Sequence, residues 1–210
     1  MKLIETHTGI IWSAWYEGES VDVFARLFRQ WIDTEYLTNY ITENQRFLAG
    51  NPFFSGLSVK DVIMNANKEA RAFRLAFNKY YWNGRNGTHP DLDDRFIVLN
   101  RRAGIDDLKR EMYGHPPDLK LMTSVFRLYA VKVPSEKQNE PAAYIVTGGG
   151  IKLTDAMPQM KELQKEYNRI ELVQNWLHQN KITTKEQLIA HQNKYAEQHN
   201  DKMGAVGEAD

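Results

Sequence analysis

The sequence predicts an α+β fold in which a small antiparallel sheet of about four strands packs against several helices gathered on one side of it. Residues 9–16 form a β-branched and aromatic run, which is typical of a strand. Apolar residues then recur at helical spacing from about residue 20 to residue 80. Finally, two apolar strands at residues 124–133 and 142–153 enclose the polar loop 134–141, which indicates a β-hairpin.

The first half of the chain is predicted to form three helices after the opening strand. Ser20 is the expected cap of the first helix, and the second begins near Thr34 and ends before Pro52. Ser58 and Asp61 resemble a capping box and open a long third helix that continues to about Tyr80. We expect this helical insertion, at about residues 20–82, to cover the sheet or to form a partner-binding arm.

The second half alternates short strands with helices. Residues 95–99 predict a strand, and a short helix is expected within residues 100–120, before the hairpin. Pro158 suits the first turn of a helix that runs to about Asn180, and Thr183 with Glu186 forms a capping box for a last, more polar helix. The sequence therefore predicts one domain over residues 1–182, followed by a polar helix and a frayed tail over residues 183–210.

Composition excludes several classes of protein and site. The 210-residue chain has no net charge, no run of eighteen apolar residues and no signal-like amino terminus, so we expect a cytoplasmic protein with no membrane partner. The absence of cysteine excludes disulfides and thiolate metal ligands, and the histidines lack zinc-binding spacing. Residues 95–132 carry eight cations against four carboxylates, which keeps a local nucleic-acid site open.

The hairpin carries charges that a plain hairpin does not need. Alternation along residues 124–133 directs Phe126 and its neighbours at even positions towards the helices, and places Arg127 and Tyr129 on the opposite face. Lys132 lies near the strand end on the core side, where its stem can reach water. The glycines at 148–150 predict a bulge or a close approach by another backbone or a ligand. With Lys152 beside them, these residues predict a shallow basic concavity suited to a phosphate.

Each of these residues also has a plainer interpretation. Arg127 can pair with a carboxylate such as Asp118 or Glu162, and Lys152 can pair with Asp155. Lys132 can be a solvent-exposed lysine, and Tyr129 can be a packing residue of the sheet. His115 lies between a glycine and a proline, where an exposed loop is expected.

The hairpin and the helix after it resemble the carboxy-terminal half of RelE/ParE-type toxins. The similar stretches are FRLYAVKV, YIVTGGGIKLT and a helix that contains Lys161, Glu162, Leu163 and Lys165. In that superfamily an arginine-bearing strand precedes a strand that ends in a glycine and a lysine, and the matching residues here are Arg127, Gly150 and Lys152. Residues 16–48 also resemble the amino end of a larger branch of the superfamily.

The resemblance implies a ribosome-dependent mRNA endoribonuclease of a toxin–antitoxin system, neutralised by an antitoxin protein and needing neither metal nor cofactor. Such chemistry deprotonates the 2′-hydroxyl, stabilises a pentavalent phosphate and protonates the leaving oxygen. Arg127 would stabilise the phosphate, with Lys152 and Lys132 as supporting cations. Tyr129 would orient the substrate or donate a proton, and His115 would act as an acid or base near pH 7. The expected RNA-binding residues are Lys132, Arg101, Arg102 and Lys120.

A non-catalytic binding protein on the same scaffold is the alternative. Active members of the superfamily carry a tyrosine, a histidine or a basic residue just after the glycine and lysine, whereas this chain has Thr154 and Asp155 there. The ParE branch inhibits DNA gyrase without cleaving RNA. The alternative function is therefore a gyrase-type inhibitor, or a module that docks another protein through the amino-terminal helices.

Overall fold

The part of the chain that the structure describes forms one six-stranded sheet with helices on both of its faces. The computed structural model describes residues 1–7, 9–49, 51–85, 92, 97–98, 109–113, 124–154 and 161–204. The strands are β1 (Lys2–His7), β2 (Ile11–Trp15), β3 (Ile97–Val98), β4 (Lys109–Tyr113), β5 (Phe126–Val133) and β6 (Ala143–Ile151). The helices are α1 (Val23–Ile32), α2 (Thr34–Glu43), α3 (Arg46–Ala49), α4 (Val59–Arg85), α5 (Lys161–Gln179) and α6 (Lys185–Gly204), with a 3₁₀ turn at Pro52–Phe54.

The sheet is mixed, in the order β1-β2-β6-β5-β4-β3. Strand β2 pairs with β6 in parallel, and every other neighbouring pair is antiparallel. The α+β class predicted from the sequence is confirmed, but the expected four antiparallel strands are six strands with one parallel pair. The difference has two sources: residues 2–7 add a hairpin partner to β2, and residues 109–113 are extended where a short helix was predicted.

The amino-terminal helices begin at well-defined side-chain caps. Asp22 caps α1 by accepting a hydrogen bond from the Ala25 backbone nitrogen, so the expectation of Ser20 as the cap is wrong. The Ser58 and Asp61 capping box is confirmed, because the Ser58 hydroxyl accepts from the Asp61 nitrogen at 3.2 Å and Asp61 accepts from the Ser58 nitrogen at 3.0 Å. These caps fix where α1 and α4 enter the helical layer.

An aromatic cluster joins α1 and α4 to one face of the sheet. Phe28 packs against Trp31 and Phe73, and the Trp31 ring lies 4.7 Å from that of Phe126 on β5. His7 of β1 contacts the same cluster through Phe77. The even-numbered face of β5 therefore meets the amino-terminal helices, as alternation predicted.

Helix α5 packs on the opposite face of the sheet. Tyr129, which points away from Phe126, makes an edge-to-face contact with Tyr167 of α5 at 5.9 Å between ring centroids. The buried side of α5 is formed by Leu163, Ile170, Val173 and Leu177. The expectation that all helices gather on one side is therefore wrong.

No described helix is long and apolar enough to cross a bilayer.

The last helix begins against the loop of the hairpin. The backbone nitrogen of Lys185 donates to the carbonyl of Pro134 at 2.8 Å, and the Glu186 side chain accepts from the Ser135 hydroxyl at 2.6 Å. Glu186 is thus engaged with the loop and does not cap α6. Instead, the Thr184 hydroxyl accepts from the Gln187 backbone nitrogen at 3.4 Å and Gln187 accepts from the Thr183 nitrogen at 2.8 Å, so the cap lies one residue later than predicted.

Candidate functional site

Arg127 is buried at the centre of the sheet. Its backbone pairs with Tyr113 of β4 and Gly150 of β6, and the residue is only 4% exposed. One guanidinium nitrogen, Nη1, donates to the carbonyl of Phe126 at 2.9 Å and also to that of Ser124. The guanidinium therefore stabilises the backbone where β5 begins.

Helix α5 covers the hairpin face that was predicted to be open and cationic. Tyr129 has no exposed surface. On the partner strand, a Cβ added to Gly148 would lie 2.5 Å from the backbone oxygen of Glu166, and one added to Gly150 would lie 3.0 Å from the Leu163 side chain. The predicted close approach occurs at Gly148, whereas the bulge lies at Thr147, one residue before the glycines, because Thr147 is unpaired in the β5–β6 register. The approaching backbone is that of α5.

The predicted site residues are only partly brought together. The backbone nitrogen of Lys152 donates to the Val125 carbonyl at 2.7 Å, so Lys152 and Arg127 lie at the same end of the hairpin. Lys132 is half-buried on the face opposite Arg127, by the alternation of the strand. The remaining four predicted residues lie outside the described residues: His115, Arg101, Arg102 and Lys120.

Four charged side chains, which we call the edge network, lock α5 to α1 and the turn after β2. They are Glu19, Arg26, Glu166 and Arg169. Arg26 pairs with Glu166 at 2.8 Å and with Glu19 at 3.7 Å, and Arg169 pairs with Glu19 at 2.6 Å and with Glu166 at 3.5 Å. The ring has no net charge and its side chains are between 13% and 23% exposed. Every cation already has two carboxylates, so the network is an anchor and not a ready anion site.

Side chains also cover the free edge of β6. Strand β2 pairs with β6 only as far as Val146, so beyond that residue no strand among the described residues neighbours β6 on that side. Tyr16 donates its hydroxyl to the Thr147 carbonyl at 2.8 Å, the Gly149 nitrogen donates to Glu166 at 3.4 Å, and Tyr40 donates to the Ile151 carbonyl at 3.2 Å. These three contacts replace the hydrogen bonds of a missing strand and block pairing with another chain.

The environment of these tyrosines keeps them in the protonated form. Burial raises the pKa of Tyr16, Tyr36 and Tyr40 above the ordinary value. The carboxylate of Glu162 acts in the same direction on Tyr36 and Tyr40. The two hydroxyls that cap the edge of β6 therefore remain hydrogen-bond donors across the physiological pH range.

A second feature of functional interest is the outward side of α4, which we call the α4 outer face. Its members are exposed and recur at helical spacing: Lys60, Met64, Lys68, Arg71, Arg74 and Leu75. Met64 is 45% exposed and Leu75 is 60% exposed. None of the four cations forms an ion pair with a described residue.

The carboxylates of α4 do not neutralise this face. Between residues 59 and 78 the helix has two acidic residues, Asp61 and Glu69. Asp61 accepts from Ser58 in the capping box, and Glu69 accepts from the hydroxyl of Ser124 at the base of β5. The α4 outer face therefore carries four positive charges beside two exposed aliphatic side chains.

Sequence reasoning found the hairpin but missed both features. The edge network joins residues more than a hundred positions apart, and nothing local marks such pairs. The α4 outer face was detectable, because its cations recur at helical spacing on the side opposite Phe73 and Phe77. In the described part of the chain, no group of three or more histidine or acidic side chains is placed to hold a metal ion.

Comparison of the chain with family models, curated proteins and solved structures finds no match. The geometry of the chain itself must therefore carry the functional argument.

Proposed function

We propose that the chain is a non-catalytic protein-docking module, built on a scaffold similar to that of RelE/ParE-type toxins, and that it meets its partner through the α4 outer face. The covering of Arg127 and Tyr129 by α5 carries this proposal. A phosphate-stabilising guanidinium must reach the scissile phosphate, whereas the Arg127 guanidinium is bound to backbone carbonyls inside the protein.

The location of the unpaired cations supports the same function. The charges of the edge network neutralise one another, whereas none of the four cations of the α4 outer face forms an ion pair with a described residue. Methionine and arginine, which both occur on this face, are enriched in protein–protein interfaces. An antitoxin-like protein or a gyrase-type target are both partners of this kind.

The test compares RNA cleavage with protein docking. Purified chain is added to translating ribosomes, and mRNA ends are mapped by primer extension, with Arg127→Ala and Lys152→Ala as comparison variants. In parallel, a photoreactive amino acid replaces Leu75 in cells, with the same replacement at exposed Leu172 of α5 as the matched control. We expect no cleavage by any form, and a discrete protein adduct from position 75 only.

Two results would contradict the proposal. The first is mRNA cleavage by the wild-type chain that a folded Arg127→Ala variant has lost, which would restore the ribonuclease. The second is adduct formation at position 172 but not at position 75, which would place docking on α5. A supercoiling assay with DNA gyrase then distinguishes a gyrase-type inhibitor from other docking modules.

A further inference from the structure

From the α4 outer face, we infer that the partner contributes an acidic amphipathic helix. This inference rests on the proposed docking function and adds the chemistry of the partner. Lys60 and Arg74 are fourteen residues apart on one helix, so the four cations extend over about 21 Å. A partner helix with carboxylates along one side would find a cation at nearly every turn of α4.

The two exposed apolar residues of α4 determine where the partner helix must carry apolar side chains. Met64 and Leu75 are eleven residues apart, which is three helical turns or about 16 Å, and the cations Lys68 and Arg71 lie between them. A helix packed along α4 would therefore present apolar residues about three turns apart, with glutamate or aspartate between them.

Charge and burial favour a protein partner over a nucleic acid or an anionic membrane. A nucleic-acid backbone would use the cations but would leave the exposed side chains of Met64 and Leu75 without an apolar contact. A membrane-surface helix inserts its apolar side into lipid, whereas the apolar side of α4 is buried in the core through Phe73 and Phe77. The outer face thus suits a ligand that combines carboxylates with apolar side chains.

The face is also presented on a rigid element. Helix α4 has fully or nearly buried residues along its inner side, and the Ser58 and Asp61 capping box fixes its start. Asn67 donates to the hydroxyl of Thr34 on α2 at 2.9 Å, which ties the middle of the helix to its neighbour. Little ordering of α4 is needed on binding, so the cost of association falls mainly on the partner.

The experiment measures binding of synthetic probes to the full chain by fluorescence anisotropy. The main probe is a helical peptide of about 20 residues with two leucines eleven residues apart, glutamate on the same side between them and alanine elsewhere, at about 50 mM salt. The comparison probes are the same peptide with glutamine for glutamate, a single-stranded RNA oligonucleotide, and vesicles that contain phosphatidylserine. We expect the glutamate peptide to bind at least about tenfold more tightly than the glutamine peptide, and more tightly than RNA.

Variants of the chain locate the site. The double reversal Lys68→Glu and Arg71→Glu should weaken peptide binding about tenfold or more, and its matched control on α5, Lys161→Glu and Lys165→Glu, should leave binding unchanged. Leu75→Ser should weaken binding while preserving its dependence on salt. All these side chains are exposed, so circular dichroism spectra and melting temperatures should match the wild type.

Three results would overturn the inference: equal binding of both peptides, equal weakening by the α4 and α5 reversals, or tighter binding of RNA that depends on Lys68 and Arg71. None of them depends on the cleavage assay. A discrete protein adduct from position 75 together with any of these results would preserve the docking function and reject the acidic helix as its partner. Cleavage of mRNA would reject the docking function itself.

Discussion

Replacement of Gly148 by alanine tests whether α5 really lies against the hairpin. The added methyl carbon would be 2.5 Å from the Glu166 backbone oxygen and 2.9 Å from its Oε2. An ordinary contact is longer by about 1 Å, and a helix backbone cannot yield as a flexible side chain can. The methyl group must therefore push α5 away from β6 or distort the strand.

The expected magnitude follows from two opposing effects. A glycine-to-alanine change without a positive φ stabilises by up to about 1 kcal/mol through the unfolded chain, and overpacking costs about 1 to 3 kcal/mol. Strain on the Glu166 ion pairs adds to the cost, so we expect a net loss of about 2 kcal/mol. For a chain of this size this corresponds to a melting temperature lower by about 4 to 8 °C.

Urea denaturation and thermal melting of Gly148→Ala and Gly150→Ala make the comparison. At Gly150 the new methyl group would meet only the end of the Leu163 side chain at 3.0 Å, so its free energy of unfolding should stay within about 1 kcal/mol of the wild type. If Gly148→Ala is as stable as the wild type, α5 does not cover this face, and the open cationic concavity must be reconsidered.

Three further predictions concern pH and the contacts around β6. Burial lowers the pKa of His7 from 6.5 to about 4, so the unfolded chain binds a proton at His7 more tightly than the folded chain does. The contribution of His7 to the free energy of unfolding should therefore be complete above pH 6.5 and fall by at most about 3 kcal/mol as the pH drops towards 4. His7→Gln should flatten this pH dependence, as measured by urea denaturation at several pH values. Glu166→Gln removes the pairing with Arg26 and should lower the free energy of unfolding by about 1 to 2 kcal/mol, less at high salt. Tyr16→Phe and Tyr40→Phe each remove one hydroxyl that caps a β6 carbonyl and should cost about 1 kcal/mol in the same assay.

Each of these predictions has a clear contrary result. An unchanged slope between pH 4 and 6.5 in His7→Gln would show that another group governs acid stability. The control for Glu166 is Lys137→Gln, which breaks an exposed ion pair with Glu140 and should have almost no effect. Equal losses in the two variants would mean that the edge network is no stronger than a surface pair. If Tyr16→Phe and Tyr40→Phe are as stable as the wild type, water must hydrogen-bond to the β6 carbonyls in place of the two hydroxyls.

The sequence predicted the elements whose pattern is local. Periodicity revealed α1, α4 and α5, because each has a continuous apolar side that packs on the sheet or on another helix. Alternation revealed β5 and its faces, and the three glycines after Thr147 indicated a close backbone approach. Strand β4, by contrast, reads KREMY without alternation, and its extended form depends on pairing with β5.

The cover over Arg127 and the edge network could not be predicted, because their decisive contacts are long-range, whereas the α4 outer face was detectable from the spacing of its cations. Arg127 was correctly placed on the face opposite Phe126, but nothing near it in the sequence says that α5 returns to cover that face. The parallel pairing of β2 with β6 likewise joins segments about 130 residues apart. The glycines were the only local clue, and the same glycines suit a ligand and a helix equally well.

The covering helix is too firmly packed to act as a lid over a catalytic face. Moving α5 away would expose four buried apolar side chains, Leu163, Ile170, Val173 and Leu177, at about 1.5 to 3 kcal/mol each. That sum, about 6 to 12 kcal/mol before the ion pairs are included, equals the whole stability of a typical domain. A substrate would have to supply that energy before Arg127 could touch it. Binding at the α4 outer face needs no such rearrangement, because its side chains already face solvent.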